Sequence, residues 1–320
     1  MNAAVVHAFD APPRYTSFEE PVPAEDELVV KLIATGLHPV VKALAAGSHY
    51  RSSGVLPFIP GVDGVGELED GTRAYFGMSR PPFGTFSEHC LTARRMCIPL
   101  PEGLEPVMVA GIANPGMSSW VALTRRARFV AGENVLILGA TGVAGQLAVQ
   151  IAKHLGAQRI IAAGRNRAVL ETLKDLGADA IVALDQEHDV AVASIRREWA
   201  TSGINVVLDY LWGAPAEAAL QALSQERPQQ AVSPVRFVQV GDSAGKAISL
   251  PAAVLRNTAI ELLGSGFGSA SLDDIFKALG DFFLLLAKSP LKINLKTVPL
   301  KNVESVWNSP EQGTRYVFVP

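Results

Sequence analysis

Short apolar runs alternate with segments of helical spacing through the second half of the chain. The segments between the runs place apolar residues on one face, for example Val169, Leu173 and Leu176. Nearly continuous apolar strands joined by helices are typical of a parallel sheet covered on both faces. The pattern therefore predicts an α/β fold with a doubly wound, six-stranded parallel sheet of the Rossmann type. The six predicted strands are the run that ends at Leu138 and residues 159–163, 180–184, 205–209, 236–240 and 260–264.

A glycine-rich turn follows the first predicted strand. It reads Gly139-Ala140-Thr141-Gly142-Val143-Ala144-Gly145, with Ala140 in the first position of the usual G-x-G-x-x-G pattern. Gly142 allows the backbone to approach a pyrophosphate, and Gly145 allows the following helix to pack on the strand. Such turns also serve packing alone, but the surrounding strands and helices favour dinucleotide binding. We predict an NAD(P) site at Ala140, Thr141, Gly142, Val143 and Ala144.

The end of the second predicted strand bears on the choice between NAD and NADP. A carboxylate at this point would bind the ribose hydroxyls of NAD, but the segment reads Gly164-Arg165-Asn166-Arg167 and has none. Two guanidinium groups suit a 2′-phosphate. The alternative is that Arg165 and Arg167 are solvated loop charges. We predict NADP(H) as the cofactor, bound by Gly164, Arg165, Asn166 and Arg167.

Two further glycine turns end the last two predicted strands. They are Gly241 and Gly264-Ser265-Gly266. Doubly wound sheets hold their ligands at this edge, so we expect the backbone of Gly241, Gly264, Ser265 and Gly266 to contact the nicotinamide half of the cofactor. The alternative is that both turns serve only as helix entries.

The first third of the chain has a different pattern. Residues 1 to about 110 carry β-rich runs between proline and glycine turns, such as residues 27–34, 62–68 and 72–76. Near the C-terminus a Ser-x-x-acid helix start at Ser271 is followed by an apolar helix, and residues 314–319 are predicted as a strand. We infer that this tail rejoins the N-terminal β domain. The predicted domains are residues 1–115 completed by 288–320, and residues 116–287.

Composition narrows the function classes. The chain is 48% hydrophobic and 18% charged, with a formal net charge of -3, so no basic excess points to nucleic acid. The N-terminus lacks the features of a secretory signal, and we expect a cytoplasmic protein without a membrane segment. Cys90 and Cys97 are too few for a disulfide framework or a four-cysteine zinc site, and the six histidines show no paired spacing.

Together these motifs resemble the medium-chain dehydrogenase/reductase superfamily, specifically its zinc-independent quinone-oxidoreductase-like branch. The resemblance covers nearly the full length. It implies a GroES-like β domain beside a Rossmann domain, with the active site in the cleft between them. The motifs that carry it are residues 60–66 (PGVDGVG), 132–156, 176–180 (LGADA), 205–209 (NVVLD), 240–242 (VGD) and 264–266 (GSG).

The resemblance also bears on the metal. Zinc alcohol dehydrogenases of this superfamily place a Cys where this chain has His38, and a Gly-His-Glu where it has Gly61-Val62-Asp63. Valine cannot ligate a metal, so we predict no metal site. Electron-poor acceptors such as quinones and conjugated enones need less help from a Lewis acid than unactivated alcohols do.

Three side chains are candidates for the catalytic site. His38, where similar zincless reductases often have Asn, would donate a proton near neutral pH, or it is a hydrogen-bonded structural group. Tyr50 would contact a flat acceptor, or it packs a surface loop. Asn114 falls near the region of the third zinc ligand in the zinc enzymes and would hydrogen-bond a substrate carbonyl.

The predicted function is metal-free transfer of a hydride from NADPH to a small electrophile, namely a quinone or other α,β-unsaturated carbonyl compound. The alternative is an NADPH-binding sensor or interaction protein with little turnover, motivated by the altered positions His38 and Val41. A homodimer is expected because the apolar edge strand near residues 259–263 can pair across a twofold axis, as the resemblance also implies.

Overall fold

The computed structural model describes residues 1–49, 51–224, 234–266, 268–309 and 313–320. The chain divides into two compact units: unit 1 contains Met1–Pro115 with Leu279–Pro320, and unit 2 contains Gly116–Ala278. The second boundary predicted from the sequence is residue 288, whereas unit 1 resumes at Leu279. The division into functional domains stays a prediction.

The elements are numbered along the chain. The strands are β1 (Asn2–Val5), β2 (Arg14–Ser17), β3 (Glu27–Gly36), β4 (Asp63–Glu67), β5 (Arg73–Gly77), β6 (His89–Ala93), β7 (Cys97–Pro99), β8 (Asn134–Leu138), β9 (Arg159–Gly164), β10 (Ala180–Ala183), β11 (Val206–Asp209), β12 (Val235–Gln239), β13 (Ile260–Gly264), β14 (Asn294–Pro299) and β15 (Thr314–Val319). The α-helices are α1 (Pro39–Ala45), α2 (Pro106–Val121), α3 (Val143–His154), α4 (Arg167–Thr172), α5 (His188–Ser202), α6 (Gly213–Leu223), α7 (Ala252–Asn257), α8 (Leu272–Lys288) and α9 (Val303–Val306).

Unit 2 is built on a six-stranded sheet in the order β10-β9-β8-β11-β12-β13. Every neighbouring pair is parallel, so the predicted doubly wound sheet is confirmed. All residues of β8 and β11 are buried, as expected for strands covered on both faces. The strand order reverses between β8 and β11. Sheets of this kind bind ligands beyond the carboxyl ends of the strands at such a switch point.

The helix that follows β8 ends as the sequence predicts. Leu147 and Ile151 of α3 are fully buried, and Gly156 has a φ of +85°, the left-handed conformation of a glycine cap. The core of unit 2 also contains Trp199 from α5 and Phe237 from β12. These residues pack α3 against the strands of the sheet.

Unit 1 contains a sheet in the order β14-β15-β3-β4-β5-β7, with β6 paired to β3. β15 pairs antiparallel with β3 and places Val317 opposite Gly36, so the C-terminal strand extends the sheet that the N-terminal strands begin. Phe86 packs against Phe318 and Trp307, with ring centroids 5.3 and 6.0 Å apart. This apolar core supports the ends of β3 and β4.

The predicted start of α8 is confirmed. The Asp274 N–H donates to Ser271 Oγ at 3.1 Å, and the Ser271 hydroxyl donates to the Asp274 carboxylate at 2.7 Å. Ser271 Oγ thus caps the first turn as the Ser-x-x-acid spacing predicts, and the Asp274 carboxylate accepts from the Ser271 hydroxyl, where a full capping box has it accept from the backbone N–H.

Across the described ranges, no helix is both long enough and apolar enough to cross a membrane.

Candidate functional site

The turn between β8 and α3, residues 139–145, is called the nucleotide turn below. It brings the end of the strand into contact with the start of the helix. A Cβ at Gly145 would lie 2.3 Å from the Gly139 carbonyl oxygen and 2.5 Å from the Ala140 Cα, so only glycine fits. Gly139 has a φ of +87°, a conformation that glycine adopts without strain. The Gly142 N–H donates to the Gly139 carbonyl at 3.1 Å and closes the turn. Gly145 is thus a packing requirement of the turn.

The start of α3 is open to an anion. No side chain caps this helix, whose N-cap residue is Gly142. The first N–H groups of an α-helix, here including those of Val143 and Ala144, have no partner within the helix. A Cβ at Gly142 would meet only the Gly139 carbonyl oxygen, at 3.5 Å, among the described atoms. Backbone donors and a helix dipole that face open space fit a pyrophosphate.

β9 ends beside the same turn. A Cβ at Gly164 would lie 2.6 Å from Thr141 Cγ2, so residues 164–167 leave the sheet next to the nucleotide turn. Asn166 caps α4, its Oδ1 accepting from the Val169 N–H at 3.2 Å. Arg167 is ion-paired, because its Nε lies 3.0 Å from Asp185 Oδ2. The residues predicted to bind the 2′-phosphate therefore lie together at one corner of the sheet. One of them, Arg167, is already paired with the Asp185 carboxylate.

The two remaining glycine turns of unit 2 differ in their packing. A Cβ at Gly241 would lie 2.9 Å from the Tyr210 carbonyl oxygen, so this glycine is needed where β12 passes the end of β11. The Ser265 N–H donates to the Gln239 carbonyl at 2.8 Å, which continues the pairing of β13 with β12. A Cβ at Gly264 or Gly266 would meet no described atom within 4 Å. Local packing therefore does not explain these last two glycines.

A buried carboxylate at the end of β11 was not among the predicted site residues. Asp209 Oδ1 accepts from the Leu211 and Trp212 N–H groups at 2.8 and 3.0 Å. Its Oδ2 is buried without a hydrogen-bond partner in the described part of the chain. Burial raises the pKa of Asp209 to about 6, although the two N–H donors oppose the shift. The sequence signal was an acidic residue that ends a buried strand at the switch point.

The turn that Asp209 holds is strained. Trp212 has a φ of +56°, which non-glycine residues adopt rarely. A Cβ at Gly139 would lie 3.1 Å from Leu211 Cδ2, so this turn packs on the nucleotide turn. Tyr210 reaches back to α2, with its hydroxyl 2.7 Å from Ser119 Oγ. Asp209 thus fixes a strained wall beside the nucleotide turn.

Unit 1 holds a polar cluster of its own, formed by His38, Asp63, Tyr75 and Arg315. His38 Nε2 lies 3.0 Å from Asp63 Oδ1, and the Tyr75 hydroxyl donates to Asp63 Oδ2 at 2.6 Å. His38 and Asp63 are only 1% and 4% exposed. Burial lowers the pKa of His38 and raises that of Tyr75 well above its usual value. His38 and Tyr75 are therefore neutral near pH 7.

The strand ends of unit 1 create this arrangement. His38 follows β3 directly and precedes α1, which begins with Pro39. A Cβ at Gly36 would lie 2.6 Å from His38 Cε1 and 2.5 Å from the Ala110 carbonyl oxygen, so glycine is required for the ring to fold back. Asp63 starts β4, and the neighbouring strand β5 carries Tyr75. Strand pairing thus joins residues that are distant in sequence.

Arg315 supplies the positive charge of the cluster. It is 5% exposed, and its Nη1 donates to the Leu37 carbonyl at 2.5 Å. Burial lowers the pKa of Arg315 to about 10, and the nearby Asp63 carboxylate opposes the shift. Asp63 therefore acts on Arg315 as a nearby negative charge, while its two carboxylate oxygens bond to His38 and Tyr75.

The cluster constrains the chemistry open to His38. Because a carboxylate only accepts, His38 Nε2 carries the proton and Nδ1 holds a lone pair. Nδ1 is buried without a hydrogen-bond partner in the described ranges. Neutral His38 is therefore set up to accept a proton or hydrogen bond at Nδ1, and it donates from that atom only after protonation.

The other two predicted catalytic residues are not brought into this cluster. Tyr50 lies outside the described residues. Asn114 is partly buried in α2, one helical turn after Ala110, and no described contact joins it to His38. Within the described ranges, no group of three or more His, Cys, Asp or Glu side chains is placed to hold a metal. The absence of zinc stays a prediction.

Several known proteins resemble the chain, and one relative does so over its whole length. The sequence profile of a family described as zinc-binding dehydrogenase matches residues 143–283. The probable NADPH-dependent quinone reductase tdiC of Emericella nidulans is 28% identical over 361 aligned positions, which cover 100% of both chains. The chloroplastic NADPH-dependent alkenal/one oxidoreductase of Arabidopsis thaliana is 26% identical over 180 residues, which are 51% of this chain and 46% of that relative.

A solved structure agrees with these relatives. The quinone oxidoreductase of Thermus thermophilus, which was also solved in complex with NADPH, superposes with a TM-score of 0.80 at 25% identity and covers 100% of both chains. This match confirms the predicted combination of a β unit with a Rossmann unit. Taken with the open turn at the switch point, these likenesses confirm the predicted resemblance of the chain to quinone-oxidoreductase-like members of the medium-chain dehydrogenase/reductase superfamily.

Proposed function

We propose that this chain is an oxidoreductase that uses NADPH to reduce a quinone or another α,β-unsaturated carbonyl compound without a metal. The observation that carries the proposal is the uncapped, open start of α3 at the switch point of the six-stranded parallel sheet. When bound there, the cofactor supplies a hydride from its nicotinamide ring.

Different residues of unit 2 would bind different parts of the cofactor. Val143 and Ala144 would donate backbone N–H groups to the pyrophosphate, with Ala140, Thr141 and Gly142 shaping the turn. Gly164, Arg165, Asn166 and Arg167 would surround the 2′-phosphate. Gly241, Gly264, Ser265 and Gly266 would present backbone to the nicotinamide half. The open surroundings of Gly264 and Gly266 support that last assignment.

An activated acceptor fits the chemistry of unit 1. Val62 has no donor atom, and His38 and Asp63 bond to each other where the zinc enzymes hold metal ligands. Carbonyl compounds conjugated to a double bond accept hydride with less help from a Lewis acid. The tdiC protein is named for a quinone acceptor, and the Arabidopsis relative is named for alkenal and alkenone acceptors.

Proton handling is assigned to unit 1. His38 would accept or relay a proton at Nδ1, with Asp63 as its partner at Nε2. Tyr50 and Asn114 would contact the acceptor. The domain limits 1–115 with 288–320 and 116–287 are proposed as the catalytic and NADP-binding domains. The relatives are named as enzymes, so the sensor alternative is not favoured.

A homodimer and a cytoplasmic location complete the proposal. β13 ends the sheet of unit 2, and the strand carries partly exposed apolar side chains such as Leu262. Such an edge suits pairing with a second copy.

The test is the oxidation of NADPH and NADH by chelator-treated protein, with a quinone and an α,β-unsaturated ketone as separate acceptors. We expect turnover with NADPH to exceed turnover with NADH, without restoration of metal. If turnover is lost on chelation and returns with zinc, the metal-free reaction is wrong. If NADPH binds but neither acceptor reacts, the acceptor class is wrong.

A further inference from the structure

The two arginines that follow β9 have different neighbours. Arg165 is exposed and makes no ion pair in the described part of the chain. The Nε of Arg167 lies 3.2 Å from Asp185 Oδ1 and 3.0 Å from Oδ2, so the guanidinium donates to the carboxylate. This ion pair is open to solvent, with the two side chains 64% and 38% exposed.

The sheet fixes Asp185 beside the end of β9. Ala183 of β10 pairs with Gly164, and the Leu184 N–H donates to the Gly164 carbonyl at 2.8 Å. Asp185 is the next residue, so it lies against the loop that carries both arginines. The Arg167 guanidinium lowers the pKa of Asp185, which keeps the carboxylate charged near pH 7.

We propose that Asp185 is a specificity-determining residue that weakens the preference of this chain for a 2′-phosphorylated cofactor. Asp185 occupies Arg167, which a 2′-phosphate would otherwise use, and it places a negative charge next to that phosphate. Arg165 is then the arginine that recognises the phosphate without competition. This inference rests on the proposed function, because it concerns how the proposed NADPH site selects its ligand.

The expected effect is moderate because the ion pair is exposed. Exposed ion pairs contribute little to binding, and repulsion between Asp185 and the phosphate would also weaken the binding of the phosphate. Replacing Asp185 with Asn should therefore tighten binding of a 2′-phosphate about two- to fivefold. A ligand that lacks this phosphate should bind with unchanged affinity. The gain should shrink at high salt.

The experiment titrates adenosine 2′,5′-bisphosphate and adenosine 5′-monophosphate into the full chain by calorimetry, with NADPH and NADH in parallel. The variants are Asp185→Asn, Arg167→Gln and the two combined. Glu171→Gln is the matched control, because it breaks another exposed ion pair of α4, with Lys174 at 2.6 Å. We expect only Asp185→Asn to tighten the bisphosphate, and we expect a smaller gain when Arg167 is already Gln.

Two results separate this inference from the proposed function. If the wild type prefers the bisphosphate to the monophosphate but Asp185→Asn binds it no more tightly, the role of Asp185 is wrong and the proposed function stands. If the wild type binds neither NADPH nor NADH, the proposed function is wrong and this inference with it. An equal gain from Glu171→Gln would also overturn the inference, because it would show a general effect of charge.

Discussion

Two glycines of the nucleotide turn have different roles: one is needed for packing and the other for cofactor binding. We expect Gly145→Ala to lower the free energy of unfolding by about 2 kcal/mol, because its methyl group would lie 2.3 Å from the Gly139 carbonyl oxygen. Gly142→Ala should leave stability nearly unchanged, since its φ of -78° suits alanine and its Cβ has open space. It should nevertheless weaken NADPH binding about tenfold by blocking the approach of the pyrophosphate. Denaturant unfolding and NADPH titration measure both effects.

The opposite pattern would contradict this division of roles. If Gly142→Ala keeps full NADPH affinity, the pyrophosphate does not approach the backbone at that position. Gly266→Ala is the control for folding, because a Cβ there meets no described atom within 4 Å.

Asp209 is expected to make stability depend on pH. Its pKa rises from 3.8 to about 6 in the folded chain, so the folded state binds a proton that the unfolded state has already lost. The resulting stabilisation is complete below pH 3.8 and is lost as the pH rises through about 6. A rise of this size corresponds to roughly 3 kcal/mol. Asp209→Asn removes the carboxyl group, so the stability of this variant lacks that dependence on pH.

The measurement is urea unfolding of the wild type and Asp209→Asn at several pH values from 4 to 7. The difference in unfolding free energy, wild type minus variant, should fall by about 2.5 kcal/mol over this range, because pH 4 already lies slightly above the unfolded pKa of 3.8. A constant difference would show that Asp209 titrates with its ordinary pKa.

At the scale of elements, the sequence predicted what depends on local patterns. The six strands of unit 2 follow from their apolar runs, and the start of α8 follows from Ser271 and Asp274. Gly145 was identified because a strand, a turn and a helix are consecutive in the chain. These features need only neighbours in sequence, which a periodicity can reveal.

Local sequence patterns did not predict contacts between residues that are distant in the sequence. His38 was a candidate as a single residue, but its partner Asp63 lies 25 positions later and Tyr75 lies on the next strand. The pairing register of β4 with β5 decides that both side chains meet. Arg315 comes from the far end of the chain through the pairing of β15 with β3. The ion pair of Arg167 with Asp185 also depends on register, between β9 and β10.

The residues of the polar cluster should contribute unequally to the free energy of unfolding. Asp63→Asn should destabilise the chain by about 3 kcal/mol, because it removes the negative charge near buried Arg315 and weakens the bonds to His38 and Tyr75. Tyr75→Phe removes one hydrogen bond to Asp63 and should cost about 1.5 kcal/mol. Chemical denaturation of the two variants at pH 7 tests this order. Equal costs would mean that Arg315 is not compensated by Asp63.

At the scale of the whole molecule, each unit carries one part of the proposed reaction. Unit 2 offers uncapped helix donors and open glycines at the edge of its sheet, which suit a cofactor. Unit 1 offers neutral His38 on a buried carboxylate, which suits proton transfer. The proposed function therefore assigns NADPH binding to unit 2 and proton transfer to unit 1.

The edge of the unit 2 sheet leads to a prediction about assembly. β13 pairs with β12 on one side and, among the described strands, with none on the other. Leu262 on this strand is 38% exposed, so replacing it should not disturb the fold. If β13 pairs with its copy in a second chain, the two Leu262 side chains lie near the twofold axis. A charged side chain at position 262 would therefore lie close to the same charge in the second chain, and the two would repel each other.

We therefore expect wild-type protein to sediment as a dimer of 33.9 kDa chains at micromolar concentration, and Leu262→Lys to sediment as a monomer with unchanged thermal unfolding. Leu284→Lys is the control, because Leu284 is 56% exposed on α8 and lies outside this edge. A monomeric wild type would rule out the dimer. Dissociation by Leu284→Lys, with Leu262→Lys still dimeric, would instead move the interface from β13 to α8.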